Sequence, residues 1–260
     1  MKQEYEVVLT DKKFLSKGNA LLTFACEDIA RDAQPGQFVN VSCSFFLKRP
    51  FGICSVDKDA QTFSIGVREV GAGTKDILKA RIGDVYSVLG PLGHGFAFEG
   101  VRKMIAVGGG TGIYPLYFAL QKARDLGIPS ICVNGFRSRE DAFFLEECES
   151  LADKSLYSTD IGDFATKGNV LDSLSLLSSA EIEGSDIFVV GPEIMMKKVS
   201  EWAEQKNLSC QISMEKRMAC GIGICLVCVC KVKASGEDIP FHHVRCCKEG
   251  PVMNASEVVW

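Results

Sequence analysis

At 260 residues the chain is long enough for two modest domains and a small appendage, and a content of 47% hydrophobic and 24% charged residues excludes a disordered polypeptide. A formal net charge of -4 offers no basic field to hold a phosphate backbone, which speaks against nucleic acid as a partner. The opening MKQEYEVVLT lacks the apolar core of a secretory signal, and no apolar run approaches bilayer length, so the expectation is a cytoplasmic protein that does not enter a membrane.

Residues 1–99 read as strands separated by Gly and Pro: Glu4 to Thr10, Ala20 to Ala25, Gln37 to Ser42, Thr62 to Val70 and Asp84 to Leu89. In TFSIGVREV, Phe63, Ile65 and Val67 alternate with Ser64, Gly66 and Arg68, the period of a half-buried strand. Short strands at this spacing predict an antiparallel barrel. Over residues 100–213 the rhythm changes to strand then helix. MIAVGGGTG leads into a helix from Tyr114 to Arg124, and SICVNG into a helix across Glu140 to Leu151. SLYSTD precedes a helical Val170 to Leu177, DIFVVGP precedes a helix through Glu193 to Gln205, and an apolar strand follows near Cys210 to Met214. This alternation predicts a parallel sheet with helices on both faces. Residues 214–260 form a third unit, set apart by composition: of twelve cysteines, Cys210, Cys220, Cys225, Cys228, Cys230, Cys246 and Cys247 lie in the last 51 residues.

Thiols this dense in a chain with no secretory signature point to metal ligands or buried hydrophobes before disulfides. Cys220-x4-Cys225-x2-Cys228 with a distant fourth cysteine has the spacing of a plant-type [2Fe–2S] loop, and Gly221 and Gly223 let such a loop fold tightly. Structural zinc prefers two C-x2-C knuckles, which the adjacent pair Cys246 and Cys247 cannot make, although four thiolates also suit zinc. His242 and His243 lack the spacing of Rieske ligands. Cys230 and the remaining cysteines are read as spectators in apolar surroundings.

Two glycine turns suit phosphate. Gly108, Gly109, Gly110, Thr111 and Gly112 follow a buried strand and open a helix, where free N–H groups and the helix dipole favour an anion, although Ile113 stands where the last glycine of G-x-G-x-x-G belongs. Gly71-Ala72-Gly73-Thr74 ends a strand and serves equally well as a tight turn with Thr74 as cap. No Ser/His/Asp set or paired-carboxylate pattern is present, so no catalytic side chain is nominated.

KRPFGI, GAGT, GPLGHGF, GGGTGIYPL, GFRSRED, VGPEIMM, MEKRMACGIGICLVC and CKEGPV occur in an order that runs nearly the whole length. In these motifs the chain resembles the electron-transfer subunits of the two-subunit, NAD-dependent (class 1B) dihydroorotate dehydrogenases, within the ferredoxin reductase superfamily. The resemblance implies an α+β multi-domain fold with an FAD-binding β-barrel, an NAD-binding α/β domain and a small C-terminal [2Fe–2S] domain. It implies that Arg49, Pro50, Phe51, Gly52 and Ile53 lie against the flavin, and that Gly71, Gly73 and Thr74 hold its pyrophosphate. Gly108 to Gly112 would then face NAD(H), with Gly191 and Pro192 shaping the nicotinamide side. Cys220, Cys225, Cys228 and Cys247 would ligate iron, Cys247 rather than Cys246 because it begins the CKEGP segment.

The implied activity is that of an oxidoreductase subunit. Electrons from dihydroorotate, oxidised on an FMN-containing catalytic partner in a heterotetramer of two subunits of each kind, would reach NAD+ in pyrimidine biosynthesis. Flavin exchanges electrons singly or in pairs and so stands between cluster and nicotinamide. Two positions depart from the family: Gly52 replaces a hydroxyl residue, and Val190 replaces the cysteine before Gly-Pro. NAD against NADP stays open, since Arg137 and Arg139 suit a 2′-phosphate or solvent. A reductase subunit of the same architecture serving ferredoxin, sulfur compounds or a hydrogenase is the nearer rival; a non-enzymatic zinc or iron–sulfur redox sensor is the remoter one.

Overall fold

The computed structural model describes residues 3–234 and 239–260. A closed six-stranded antiparallel barrel comes first, built from β1 (Gln3–Ser16), β2 (Asn19–Ala25), β3 (Phe38–Val41), β4 (Arg49–Asp57), β5 (Thr62–Arg68) and β6 (Val85–Leu92) in the order β1-β2-β5-β4-β3-β6. Helix α1 (Glu27–Asp32) packs on it, and α2 (Ala72–Ile77) follows β5. Alternation fills the interior: Leu22 and Phe24 from β2, Val39 and Val41 from β3, and Phe63, Ile65 and Val67 from β5 meet there. β4 falls outside the strands expected from sequence, because Pro50 and Gly52 disguise it as a turn. It still pairs with both neighbours, Pro50 opposite Asn40 and Ile53 opposite Ile65.

The second unit comprises β7 (Met104–Gly109), α3 (Ile113–Asp125), β8 (Ser130–Phe136), α4 (Leu145–Glu149), β9 (Lys154–Thr159), β10 (Thr166–Lys167), α5 (Val170–Leu174), α6 (Ser179–Ile182), β11 (Asp186–Val190), α7 (Glu193–Gln205) and β12 (Cys210–Ser213). Its strands run parallel in the order β10-β9-β8-β7-β11-β12. Ile105, Val107, Val133, Ile187 and Val189 face α5 and α7, while Met104, Ala106, Cys132, Phe188 and Val190 face α3 and α4. Both faces of the sheet are thus apolar, which is why its strands read as unbroken hydrophobic runs. The helix expected over Glu140 to Leu151 is interrupted. Phe143 and Phe144 turn inward onto Tyr114 and Tyr117, with ring centroids 5.1 and 4.7 Å apart, and Phe144 takes φ 64° to do so, leaving only Leu145–Glu149 helical.

The last 47 residues hold a hairpin, β13 (Val229–Lys233) with β14 (Phe241–Arg245), and β15 (Val252–Asn254), which pairs antiparallel with β12 and extends the sheet to seven strands. His242 and His243 sit exposed on β14. Among the described residues no helix is long and apolar enough to cross a membrane.

Candidate functional site

A cleft of about 320 Å³ opens where the barrel, the carboxyl ends of the parallel strands and the segment after β12 meet. Pro50, Phe51 and Gly52 form its barrel wall; Thr111 and Val190 lie at the ends of β7 and β11; Ser213 to Lys216, Met218 and Pro251 close the third side. Crevices at the carboxyl ends of parallel strands are where such sheets bind ligands. Gly52 stands against Pro115 of α3, so no side chain enters the cleft at that point. Ile53, by contrast, is fully buried and packs inside the barrel.

Arg49 is drawn onto the Gly71–Thr74 turn. A side chain at Gly73 would overlap the Arg49 guanidinium, while Nη1 of that arginine donates to the Leu47 carbonyl at 2.6 Å. The Thr74 hydroxyl is spent on the turn, accepting from the N–H groups of Val70 at 2.9 Å and Gly71 at 3.2 Å. What remains for an anion is the guanidinium and the first N–H groups of α2, which have no acceptor within the helix.

The second glycine turn serves packing before it serves a ligand. A Cβ at Gly112 would overlap the Val190 carbonyl, and one at Gly109 would lie 2.6 Å from Met195 Sδ and 2.8 Å from Pro192 Cδ. Gly108 closes over Asn134, and Gly191 lies against Gly109, so the turns after β7 and β11 form one unit. Gly110, with φ 52°, has only Arg68 near it, and Thr111 faces the cleft. Farther along the sheet edge, the Arg139 guanidinium lies 4.3 Å from the Phe164 ring centroid and its backbone N–H donates to the Asp163 carboxylate at 3.0 Å.

The cysteine loop turns through Gly221 at φ 68°, Gly223 at φ 86° and Leu226 at φ 56°. Gly221 seats against the buried Asn40 of β3, where any side chain would overlap the carboxamide. The four nominated thiols fall into two pairs, Cys220 beside Cys225 and Cys228 beside Cys247, whose backbone N–H stands 3.4 Å from the Cys228 sulfur. Among the described residues no three His, Cys, Asp or Glu side chains crowd around a single point. Two thiols for each of two irons is the ligand demand of a dinuclear cluster, and the donor set fits it. Burial acts to raise the Cys220 thiol, but hydrogen bonds from Cys225, Ile222 and Ile224 outweigh it and bring it down to about 6. The N–H groups of Ile222 and Ile224 stand 3.5 and 3.4 Å from its sulfur. Cys246 points elsewhere: its thiol donates to the Met214 carbonyl at 3.1 Å, and burial pushes its pKa up. Cys230 packs on Met253, and Ile222 also packs inward, whereas Ile224 and Leu226 are 75% and 61% exposed.

Sequence reasoning missed Arg68, Tyr114 and the stretch from Ser213 to Met218 as cleft residues. The MEKRM beside the cysteine motif was the available signal.

Comparison with known proteins gives concordant findings. Residues 215–259 match the family described as "Iron-sulfur cluster binding domain of dihydroorotate dehydrogenase B", and residues 106–201 match "Oxidoreductase NAD-binding domain". The chain is 33% identical over 266 residues to the dihydroorotate dehydrogenase B (NAD(+)), electron transfer subunit of Bacillus mycoides, covering all of both chains. It is 36% identical over 228 residues to the protein of that name from Caldanaerobacter subterraneus, covering 87% of each. A solved structure of an NADH-dependent reduced ferredoxin-NADP oxidoreductase, a flavin-based bifurcating system, superposes with TM-score 0.85 at 25% identity, covering 98% of this chain and 90% of that one.

Proposed function

The chain belongs to the family of dihydroorotate dehydrogenase B (NAD(+)) electron transfer subunits, and on that premise we propose that it carries electrons between an FMN-containing, dihydroorotate-oxidising partner and NAD+ in pyrimidine biosynthesis. Its cofactors are FAD, a [2Fe–2S] cluster and NAD(H). The observation that carries this reading is convergence: barrel turn, parallel-strand ends and the segment entering the cysteine loop all line one cleft.

Bound there, flavin supplies exchange between paired and single electrons, and the cluster supplies single-electron transfer. The residues supply placement. Arg49, with the backbone of Gly71, Gly73 and Thr74, would hold and neutralise the flavin pyrophosphate. Pro50, Phe51 and Gly52 would line the flavin's side of the cleft, and Ile53 anchors that wall from inside the barrel. Gly108 to Gly112 with Gly191 and Pro192 shape the nicotinamide side, and Val190 keeps that surface apolar. Cys220, Cys225, Cys228 and Cys247 hold iron as thiolates, the Cys220 charge being stabilised by its N–H donors.

Exposed Ile224 and Leu226 beside the thiols form the docking face for the catalytic partner, in an assembly of two subunits of each kind. Twelve cysteines outside any disulfide suit a reducing cytoplasm. The isolated chain is expected to show about two irons and one FAD, to reduce artificial acceptors with NADH, and to leave dihydroorotate untouched until the partner is added. Dihydroorotate oxidation by this chain alone, or zinc in place of flavin and iron, would refute the proposal.

A further inference from the structure

The peptide between Gly223 and Ile224 lies in the middle of the cysteine loop, and both of its polar groups are engaged. On one side the Ile224 N–H stands 3.4 Å from the Cys220 sulfur. On the other the Gly223 carbonyl accepts from Arg245 Nη1 at 2.8 Å. A trans peptide is planar, so these two groups point in opposite directions and share one dipole. A cation on the carbonyl draws electron density across the unit and makes the N–H a stronger donor. Arg245 ends β14, and the turn that follows brings Glu249 back onto it. The Glu249 Oε2 accepts from the Arg245 backbone N–H at 2.7 Å and from Nε at 3.1 Å, while Oε1 pairs with Nη2. The guanidinium thus spends one edge on Glu249 and keeps Nη1 for the loop, a division that a planar fork allows and an ammonium does not. With side chains 29% and 36% exposed and no net charge, the ion pair has its direct field at the sulfurs screened by solvent. The directional route through the peptide remains.

We propose that Arg245 is a positioning residue for the cluster: it holds and polarises the Gly223–Ile224 peptide, whose N–H stabilises negative charge on the Cys220 sulfur and so favours the reduced state. This rests on the cluster reading above. One electron arrives from the partner and later leaves for the flavin; no bond forms or breaks and no proton moves. Part of the added charge falls on the thiolate sulfurs, so a stronger N–H donor at Cys220 stabilises the reduced form more than the oxidised one.

The test is an anaerobic potentiometric titration of the cluster in the full chain, followed by its paramagnetic resonance signal, with iron analysis of each protein. Arg245→Met removes the donor. Its reduction equilibrium should shift about tenfold toward the oxidised form, a fall of about 59 mV for one electron, with iron retained. The double variant Arg245→Met with Glu249→Gln leaves the net charge of the pair unchanged and should fall as far. Arg245→Lys keeps the charge but, once paired with Glu249, has no fork left for the Gly223 carbonyl, and its potential should fall too. A wild-type potential in iron-loaded Arg245→Met overturns the proposal. So does a wild-type potential in the double variant, which would assign the shift to an unpaired Glu249 rather than to the peptide. If Arg245→Met fails to hold iron, Arg245→Lys decides, and a wild-type potential there overturns the proposal as well. A wild-type preparation without iron would instead sink the functional reading itself, which separates the two failures.

Discussion

Cys246 and Cys247 are adjacent and both fully buried, yet their thiols face opposite ways, and this yields a sharp prediction. Cys247 is paired with Cys228, whereas Cys246 donates to the Met214 carbonyl. Cys246→Ala deletes one buried sulfur, a loss comparable to a methylene at about 1 kcal/mol. It also strips the Met214 carbonyl of its thiol donor, which adds about 1 kcal/mol, the low end for a buried group because a thiol is a weak donor. A total near 2 kcal/mol corresponds to a fall in Tm of roughly 4–8 °C for a chain of this size. Iron content should be unchanged. On the proposed ligation Cys247→Ala removes one of the four thiolates, and iron should fall from about two per chain to near zero, with loss of the cluster absorption. Metal analysis, visible spectra and thermal melts of the two proteins decide the matter. Retention of iron in Cys247→Ala together with its loss in Cys246→Ala would refute the ligand choice and the geometry behind it.

Gly221→Ala places a side chain at φ 68°, costing about 1–2 kcal/mol, and drives its Cβ into Asn40, so iron occupancy should fall; Asn40→Ala in the same chain should restore part of it. Full occupancy in Gly221→Ala alone would contradict this seating of the loop. Ile224→Asp with Leu226→Asp should abolish co-purification with the catalytic partner while NADH-dependent reduction of an artificial acceptor stays at the wild-type rate; intact complex formation would move the docking face elsewhere. Hydrogen bonds from Lys154 first, then Ser178, lower the Glu181 carboxyl to about 2. A depressed pKa stabilises the fold above the ordinary carboxylate range and loses that contribution as pH falls toward about 2. Wild type should therefore lose slightly more Tm than Glu181→Gln on acidification, the difference being small because the pair is exposed. Equal acid sensitivity would show the pair to be inert.

Features encoded locally were legible in the sequence. Alternation in TFSIGVREV marked a barrel strand, unbroken apolar runs marked the two-faced sheet, and C-x4-C-x2-C marked the cysteine loop. What escaped depends on partners distant in the chain. β4 hid behind Pro50 and Gly52, whose strand geometry is imposed by β3 and β5. The helix after β8 was overestimated because burial of Phe143 and Phe144 outweighed helical propensity. A glycine run likewise says that something comes close, without saying what: at Gly109 and Gly112 the close neighbours are Pro192 and Val190 of the adjacent strand end.

The same long-range logic explains why the thiol loop and the cleft belong together. Met218 lines the cleft two residues before Cys220, and Pro251 lines it four residues after Cys247. The chain is pinned on both sides of this segment. Before it, Ser213 pairs with Val252; after it, β15 closes the sheet edge against β12. Gly221 presses the loop onto β3, the strand whose Asn40 pairs with Pro50 of the cleft wall. The thiols are therefore held by short covalent spans and one strand pairing to the cleft proposed above for the flavin, as single-electron transfer over a short distance requires. Lengthening either span by flexible residues should leave the barrel and the sheet folded while slowing electron delivery between the partner and NAD+.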